Sequence, residues 1–203
     1  LGSEGDSPNR YQVAKQADVL MLFYLFSTEV LQSIFERLGY EFDPAMIPRN
    51  IEYYVERTSH GSTLSRVVYA WVLARSDRER SWNLFQEALE SDVADIQGGT
   101  TSEGIHLGAM AGTVDIIQRC FVGIEVREDV LWLNPLLPEQ LHEVKLFLRY
   151  RGHWLTLRVT HEQLVVSSSR GCRECVQVGY HGTVYSFEQG ETRTFDLREP
   201  AVH

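Results

Sequence analysis

No apolar run in this chain of 203 residues approaches the roughly 20 needed to span a bilayer; the longest candidate, 19–26, ends at Ser27 and Glu29. A membrane helix is therefore not expected, and no signal peptide is read. A basic excess is also missing, since 19 Lys and Arg face 28 Asp and Glu for a net charge of −9. Nucleic acid is usually met by a basic stripe, so it is not an expected partner. Cysteine is scarce, with three in all. Cys172 and Cys175 form a C-x-x-C without a second pair, and His153, His161 and His181 would complete a zinc set only by accident of folding, so no metal is expected. A redox C-x-x-C normally opens a helix after a strand, whereas this pair lies between strand-like segments. The first residue is Leu rather than Met, and the chain reads as a piece of something longer.

The remaining composition is that of an ordinary globular protein, 43% hydrophobic and 23% charged, long enough for one domain or two small ones. Apolar periodicity predicts a helix over 11–26 that is buried on most sides. Lys15 and Gln16 interrupt it, and polar groups on such a helix need partners or a cavity. The ordinary alternative is a Lys15 that reaches solvent and pairs with Asp18. A helix over 28–38 is closed by Gly39, and another is opened by Asp43-Pro44 and runs to about Arg57. Further helices are read over 64–74, over 77–94 with Ser76 or Asp77 as cap, and over 105–120.

Two of these helices follow turns rich in glycine and hydroxyls: 57–65, RTSHGSTLS, and 95–112, DIQGGTTSEGIHLGAMAG. A helix start presents unpaired N–H groups and a partial positive charge, which suits an anion such as phosphate. The alternative is plain capping by Thr101 or Ser102, with Glu103 and His106 merely on the first turn. Short helices whose polar turns recur at one end suggest antiparallel pairs around an axis, which gather those turns into one pocket.

Past Phe121 the pattern becomes short strands, at 144–150, 154–160, 163–167, 175–178, 183–187 and 193–197, with Arg151-Gly152-His153 as a tight turn. Asn134-Pro135 and Pro138 mark a linker over 123–140. The fold class is therefore α + β, with a β-rich sandwich at the end.

The motifs K-Q-A-D-V-L at 15–20, R-T-S-H-G-S-T-L-S at 57–65 and T-S-E-G-I-H-L-G-A-M at 101–110 stand in an informative order and spacing. Together they resemble the C-terminal half of the inverting disaccharide phosphorylases, the maltose, trehalose and kojibiose phosphorylases of glycoside hydrolase family 65. L-W-L-N-P at 131–135 and L-R-Y-R-G-H at 148–153 extend the resemblance over nearly the whole chain. It implies the closing helices of an (α/α)6 barrel over 1–122, a linker over 123–140, and a small antiparallel, jelly-roll-like β-sandwich over 141–203.

The implied reaction is attack of inorganic phosphate on an α-linked glucose disaccharide, giving β-glucose 1-phosphate and a free sugar. Phosphate stands where an inverting hydrolase places its activated water. By the same resemblance Gly61, Ser62 and His106 bind phosphate with Lys15 beside them, and Lys15, Gln16 and Glu103 border the sugar. Glu103 is expected as a cap or sugar contact rather than a catalyst. The family's general acid lies in a stretch like G-P-D-E, which this chain lacks, so the catalytic acid is expected upstream, in a missing N-terminal half. Phosphate is then a co-substrate and no cofactor is implied. A cytoplasmic location is expected, and a homodimer is compatible, since dimers are common in the family. The alternatives are a trehalase-like hydrolase of the same family, which carries a carboxylate in the His-Gly-Ser turn, and a non-catalytic carbohydrate-binding module.

Overall fold

The computed structural model describes residues 5, 13–59, 62–74, 76–96, 98–99, 102, 104–170 and 175–198. The chain divides into two compact units, Leu1–Val114 and Asp115–His203.

The first unit is helical. Its elements are α1 (Met21–Leu25), α2 (Thr28–Leu38), α3 (Met46–Val55), α4 (Thr63–Leu73), α5 (Arg78–Glu90) and α6 (Leu107–Asp115), which runs to the boundary. At the start of α2 the Ser27 side chain accepts from the Val30 N–H, and at its end Gly39 takes the left-handed conformation, φ 79°. This is the start and stop that the sequence signals. Asp77 likewise caps α5 by accepting from the Arg80 N–H. The buried positions of α5 are Ser81, Leu84, Phe85 and Ala88, one stripe at helical spacing. That stripe faces α4, to which Ser81 Oγ donates a hydrogen bond at the Ala70 carbonyl. α4 is buried nearly all round, through Thr63, Ser65, Val67, Val68, Tyr69, Ala70 and Leu73.

The helix expected over 11–26 is the main departure. Only Met21–Leu25 is α-helical, and among the described residues those before it form an irregular strap. Its backbone groups bond sideways to another turn, with the Ala14 N–H on Arg57 O and the Ser59 N–H on Ala14 O, both 2.9 Å. Burial of Ala17 and Leu20 looks helical in sequence, but a chain pressed against a neighbouring turn buries the same residues.

The second unit begins with a π-helical turn, Ile116–Phe121. Its strands are β1 (Ile124–Arg127), β2 (Val130–Leu133), β3 (Glu143–Tyr150), β4 (His153–Thr160), β5 (Gln163–Arg170), β6 (Val176–Tyr180), β7 (Thr183–Phe187) and β8 (Thr192–Asp196). They form two four-stranded sheets, ordered β1-β2-β6-β7 and β3-β4-β5-β8. Leu155, Leu157 and Val159 alternate inward on β4, as do Leu131 and Leu133 on β2, which is the period of a half-buried strand. The sheets touch where the Tyr180 hydroxyl donates to Asp196 O and its ring lies 4.9 Å from that of Phe195.

Three sequence expectations change here. The stretch 123–140, read as a linker, carries β1 and β2. Their turn, Glu128-Asp129, has positive φ at both residues, 47° and 68°, the geometry of a tight hairpin usually signalled by Asn-Gly or Asp-Gly. Without glycine the signal was silent. The pairing is also not wholly antiparallel, since β2 runs parallel to β6 with Leu131 opposite Val178. The turn expected at Arg151-Gly152-His153 is shorter, because His153 already opens β4 and is buried.

Packing fixes where α6 sits on α4. A Cβ at Gly112 would lie 2.5 Å from Val67 Cγ1, and Val67 is fully buried. A helical valine has essentially one rotamer, so it has no alternative position to take. Gly112→Ala is expected to destabilise the protein by about 1–3 kcal/mol through overpacking, read as a lower urea midpoint. An unchanged midpoint contradicts this contact.

Candidate functional site

The strap over 13–20 is laid along the turn that opens α4, and this brings two of the three sequence motifs together. Besides the bridge from Ala14 to Thr58, the Ser59 hydroxyl donates to Lys15 O at 3.2 Å. The Ala17 N–H donates to Ser65 Oγ at 3.1 Å. The root of the turn is anchored in the core: Thr58 Oγ1 donates to Tyr54 O at 2.9 Å and accepts from the Tyr69 hydroxyl. Tyr69 is 1% exposed, and burial pushes its phenol above the ordinary value, so it stays neutral as a donor.

Beside this junction lies an open pocket of about 60 Å3, with Gln16, Asp18, Ser62 and Ser65 as polar lining and Met21, Leu64 and Val68 among its apolar lining. Gln16 Nε2 donates to Asp18 Oδ1 at 2.9 Å. Asp18 thus engages Gln16, whereas the ordinary reading of the sequence paired it with Lys15. The Lys15 side chain is exposed, and Lys15 is not among the residues that line the pocket. Ser62 is the N-cap residue of α4, yet its hydroxyl makes no capping bond. A hydroxyl and the first N–H groups of a helix are therefore presented together, which is a set of donors suited to an anion.

His106 stands immediately before α6, where its carbonyl accepts from the Ala109 and Met110 N–H groups at 2.9 and 3.1 Å. Asp92 holds it twice: Oδ2 accepts from the His106 backbone N–H at 2.9 Å, and Oδ1 pairs with ring Nδ1. Both side chains are largely sheltered, 11% exposed for Asp92 and 29% for His106. The loop between them is tied by Asp95, whose two oxygens accept from the Gly99 N–H at 2.9 and 2.8 Å. Gly98 and Gly99 have φ of 69° and 97°, a conformation that explains the glycine pair.

Of the six residues expected at the site, Gln16 and Ser62 share the pocket, whereas Lys15 is outside its lining, next to Gln16 on the strap. His106 is anchored separately, on Asp92. Gly61 and Glu103 lie outside the described residues, as does Cys172, while Cys175 is exposed and unbonded. Asp92 is the residue that sequence reasoning missed. One signal was present: a carboxylate just beyond the C-terminal end of α5 faces the negative end of the helix dipole, so it requires another partner. No helix among the described residues is long and apolar enough to cross a membrane.

The side-chain hydrogen bond to His106, helped by the bond from its backbone N–H, holds the Asp92 carboxyl below its ordinary value against the opposing effect of burial. An unfolded Asp titrates near 3.9. The stabilisation is thus fully present above that value and is lost as pH falls through the lower folded value. Melting temperatures of wild type and Asp92→Asn should differ more at about pH 5 than at lower pH and converge toward pH 2. A difference independent of pH contradicts the bond.

Residues 1–115 match the Glycosyl hydrolase family 65 central catalytic domain, and residues 124–187 match the Glycosyl hydrolase family 65, C-terminal domain. An uncharacterized glycosyl hydrolase of Mycobacterium tuberculosis is 48% identical over 192 residues, 95% of this chain and 14% of that protein. The trehalose 6-phosphate phosphorylase of Lactococcus lactis is 39% identical over 83% of this chain and 22% of its own length. A kojibiose phosphorylase of Caldanaerobacter subterraneus is 35% identical over 84% and 21%. The chain thus spans less than a quarter of each of these curated relatives. A solved structure of a human-microbiome protein assigned as a kojibiose phosphorylase shares the fold, with a TM-score of 0.70, 23% identity, and coverage of 91% of this chain and 23% of its own. By the two family matches, the chain belongs to glycosyl hydrolase family 65.

Proposed function

We propose that this chain is the C-terminal part of an inverting α-glucoside phosphorylase and carries the phosphate side of its active site. The observation that carries the reading is the pocket at the open start of α4, where Gln16 and the uncommitted hydroxyl of Ser62 meet. Gly61, Ser62, His106 and Lys15 hold phosphate in this account, and Lys15, Gln16 and Glu103 border the glucosyl group. Charge-assisted donation from an ammonium, together with hydroxyl and helix-start donors, suits a phosphate dianion. The relatives named as phosphorylases of trehalose 6-phosphate and kojibiose support phosphate as co-substrate. The His60-Gly61-Ser62 run contains no carboxylate to activate water, which favours phosphorolysis over hydrolysis.

The first unit is then the closing part of an (α/α)6 barrel and the second a β-sandwich. Among the described residues α1 and α3 bury none of their side chains, and Leu22, Leu25, Val30, Leu38 and Tyr40 are exposed. Exposed apolar side chains on several elements fit helices whose neighbours lie in another part of the polypeptide. The general acid belongs to that part, because no G-P-D-E-like stretch occurs here. A cytoplasmic enzyme, with a homodimer as its compatible assembly, completes the proposal.

The test incubates the complete polypeptide with trehalose, trehalose 6-phosphate, kojibiose or maltose, with and without inorganic phosphate. β-Glucose 1-phosphate is expected from one of these sugars only when phosphate is added, and the 203-residue chain alone should form none. Glucose released at full rate without phosphate overturns the phosphorylase reading, and turnover by the isolated chain overturns the assignment of the acid.

A further inference from the structure

The Asp92 carboxylate does more at His106 than a helix cap requires. Accepting from the backbone N–H would by itself satisfy one open donor at the start of α6. The second oxygen takes ring Nδ1 as well, so one carboxylate holds both the main chain and the imidazole of a residue 14 positions away. Two bonds from one rigid group fix the ring's rotation as well as its place. An ionised carboxylate can only accept, so Nδ1 carries the proton. Which nitrogen of a histidine meets a ligand is set by the bond the other makes. Here Nε2, on the opposite edge of the ring, is the nitrogen left free to face one.

We propose that Asp92 is the positioning residue of the phosphate-binding imidazole: it fixes the tautomer and rotation of His106 so that Nε2 meets a phosphate oxygen. This rests on the phosphorolysis reading given above. The arrangement is the one by which carboxylates orient histidines that bind metals, with inorganic phosphate in place of the metal. It also accounts for an acid beside a proposed anion site. The carboxylate acts through the ring rather than on the ligand.

The test is a double-mutant cycle on the complete polypeptide, with Asp92→Asn, His106→Ala and the pair, titrated calorimetrically with inorganic phosphate in the presence of glucose. Asp92→Asn is expected to weaken phosphate binding by roughly tenfold or more and to add no further loss in the His106→Ala background. Wild-type affinity in Asp92→Asn, or an equal loss in both backgrounds, overturns the proposal and makes Asp92 a structural cap. If His106→Ala itself binds phosphate normally, the assignment of His106 fails and this inference fails with it. If His106→Ala abolishes binding while Asp92→Asn does not weaken it, only the role of Asp92 fails. Should Asp92→Asn not fold, Asp92→Glu takes its place. Nitrogen-15 NMR of the wild-type ring supplies an independent readout: a proton on Nδ1 supports the proposal, and a neutral ring protonated only on Nε2 overturns it.

Discussion

Two backbone hydrogen bonds, from the Ala14 N–H to Arg57 O and from the Ser59 N–H to Ala14 O, carry the site. They join a strap to a turn 43 and 45 positions later in sequence, and the bonds from Ser59 Oγ to Lys15 O and from the Ala17 N–H to Ser65 Oγ hold the same junction. Each such bond contributes only about 0.5–1.5 kcal/mol net, so the junction depends on what surrounds it. Ser65, buried on α4, receives the Ala17 N–H, and Tyr69 in the core donates to Thr58. The polar junction is therefore placed by the most buried helix of the first unit, while its outer edge stays open.

The proposed function asks an acidic chain to hold an anionic ligand. A net charge of −9 offers phosphate no long-range attraction, so in the proposed site binding has to come from local donors: a hydroxyl, helix-start N–H groups, an ammonium and an imidazole. Local donors are useful only when their directions are set in advance. The strap's bonds to the turn and to Ser65 place Gln16, and the grip of Asp92 orients His106. Gly112 in turn lets α6 approach Val67 closely.

Where local chemistry decides the structure, the sequence was legible. Ser27 and Gly39 bracket α2, Asp77 opens α5, and the strand Thr183–Phe187 is bounded by turns that Gly182 and Gly190 mark. Legibility failed where distant contacts decide. Residues 13–20 carry a helical pattern of apolar side chains, yet their hydrogen bonds go to a turn that no local window includes. The β1–β2 hairpin was hidden because Glu128 and Asp129 adopt positive φ without glycine, and the parallel pairing of β2 with β6 has no periodic signature. At the site, the hydroxyl- and glycine-rich turns could be found from composition, and the bonding of the strap to the first of them could not. Asp92 was visible only as a carboxylate in an electrostatically poor place, and its partner appears only once α5 and α6 are folded.

In the proposed site one anion sits between the start of α4 and the imidazole held by Asp92. The most direct measurement is a diffraction structure of the complete polypeptide soaked with tungstate, a heavy analogue of phosphate whose anomalous signal marks its position. The expected result is a peak whose oxygens lie within about 3 Å of both Ser62 Oγ and His106 Nε2. A peak elsewhere in the catalytic cleft, with this position empty, contradicts it.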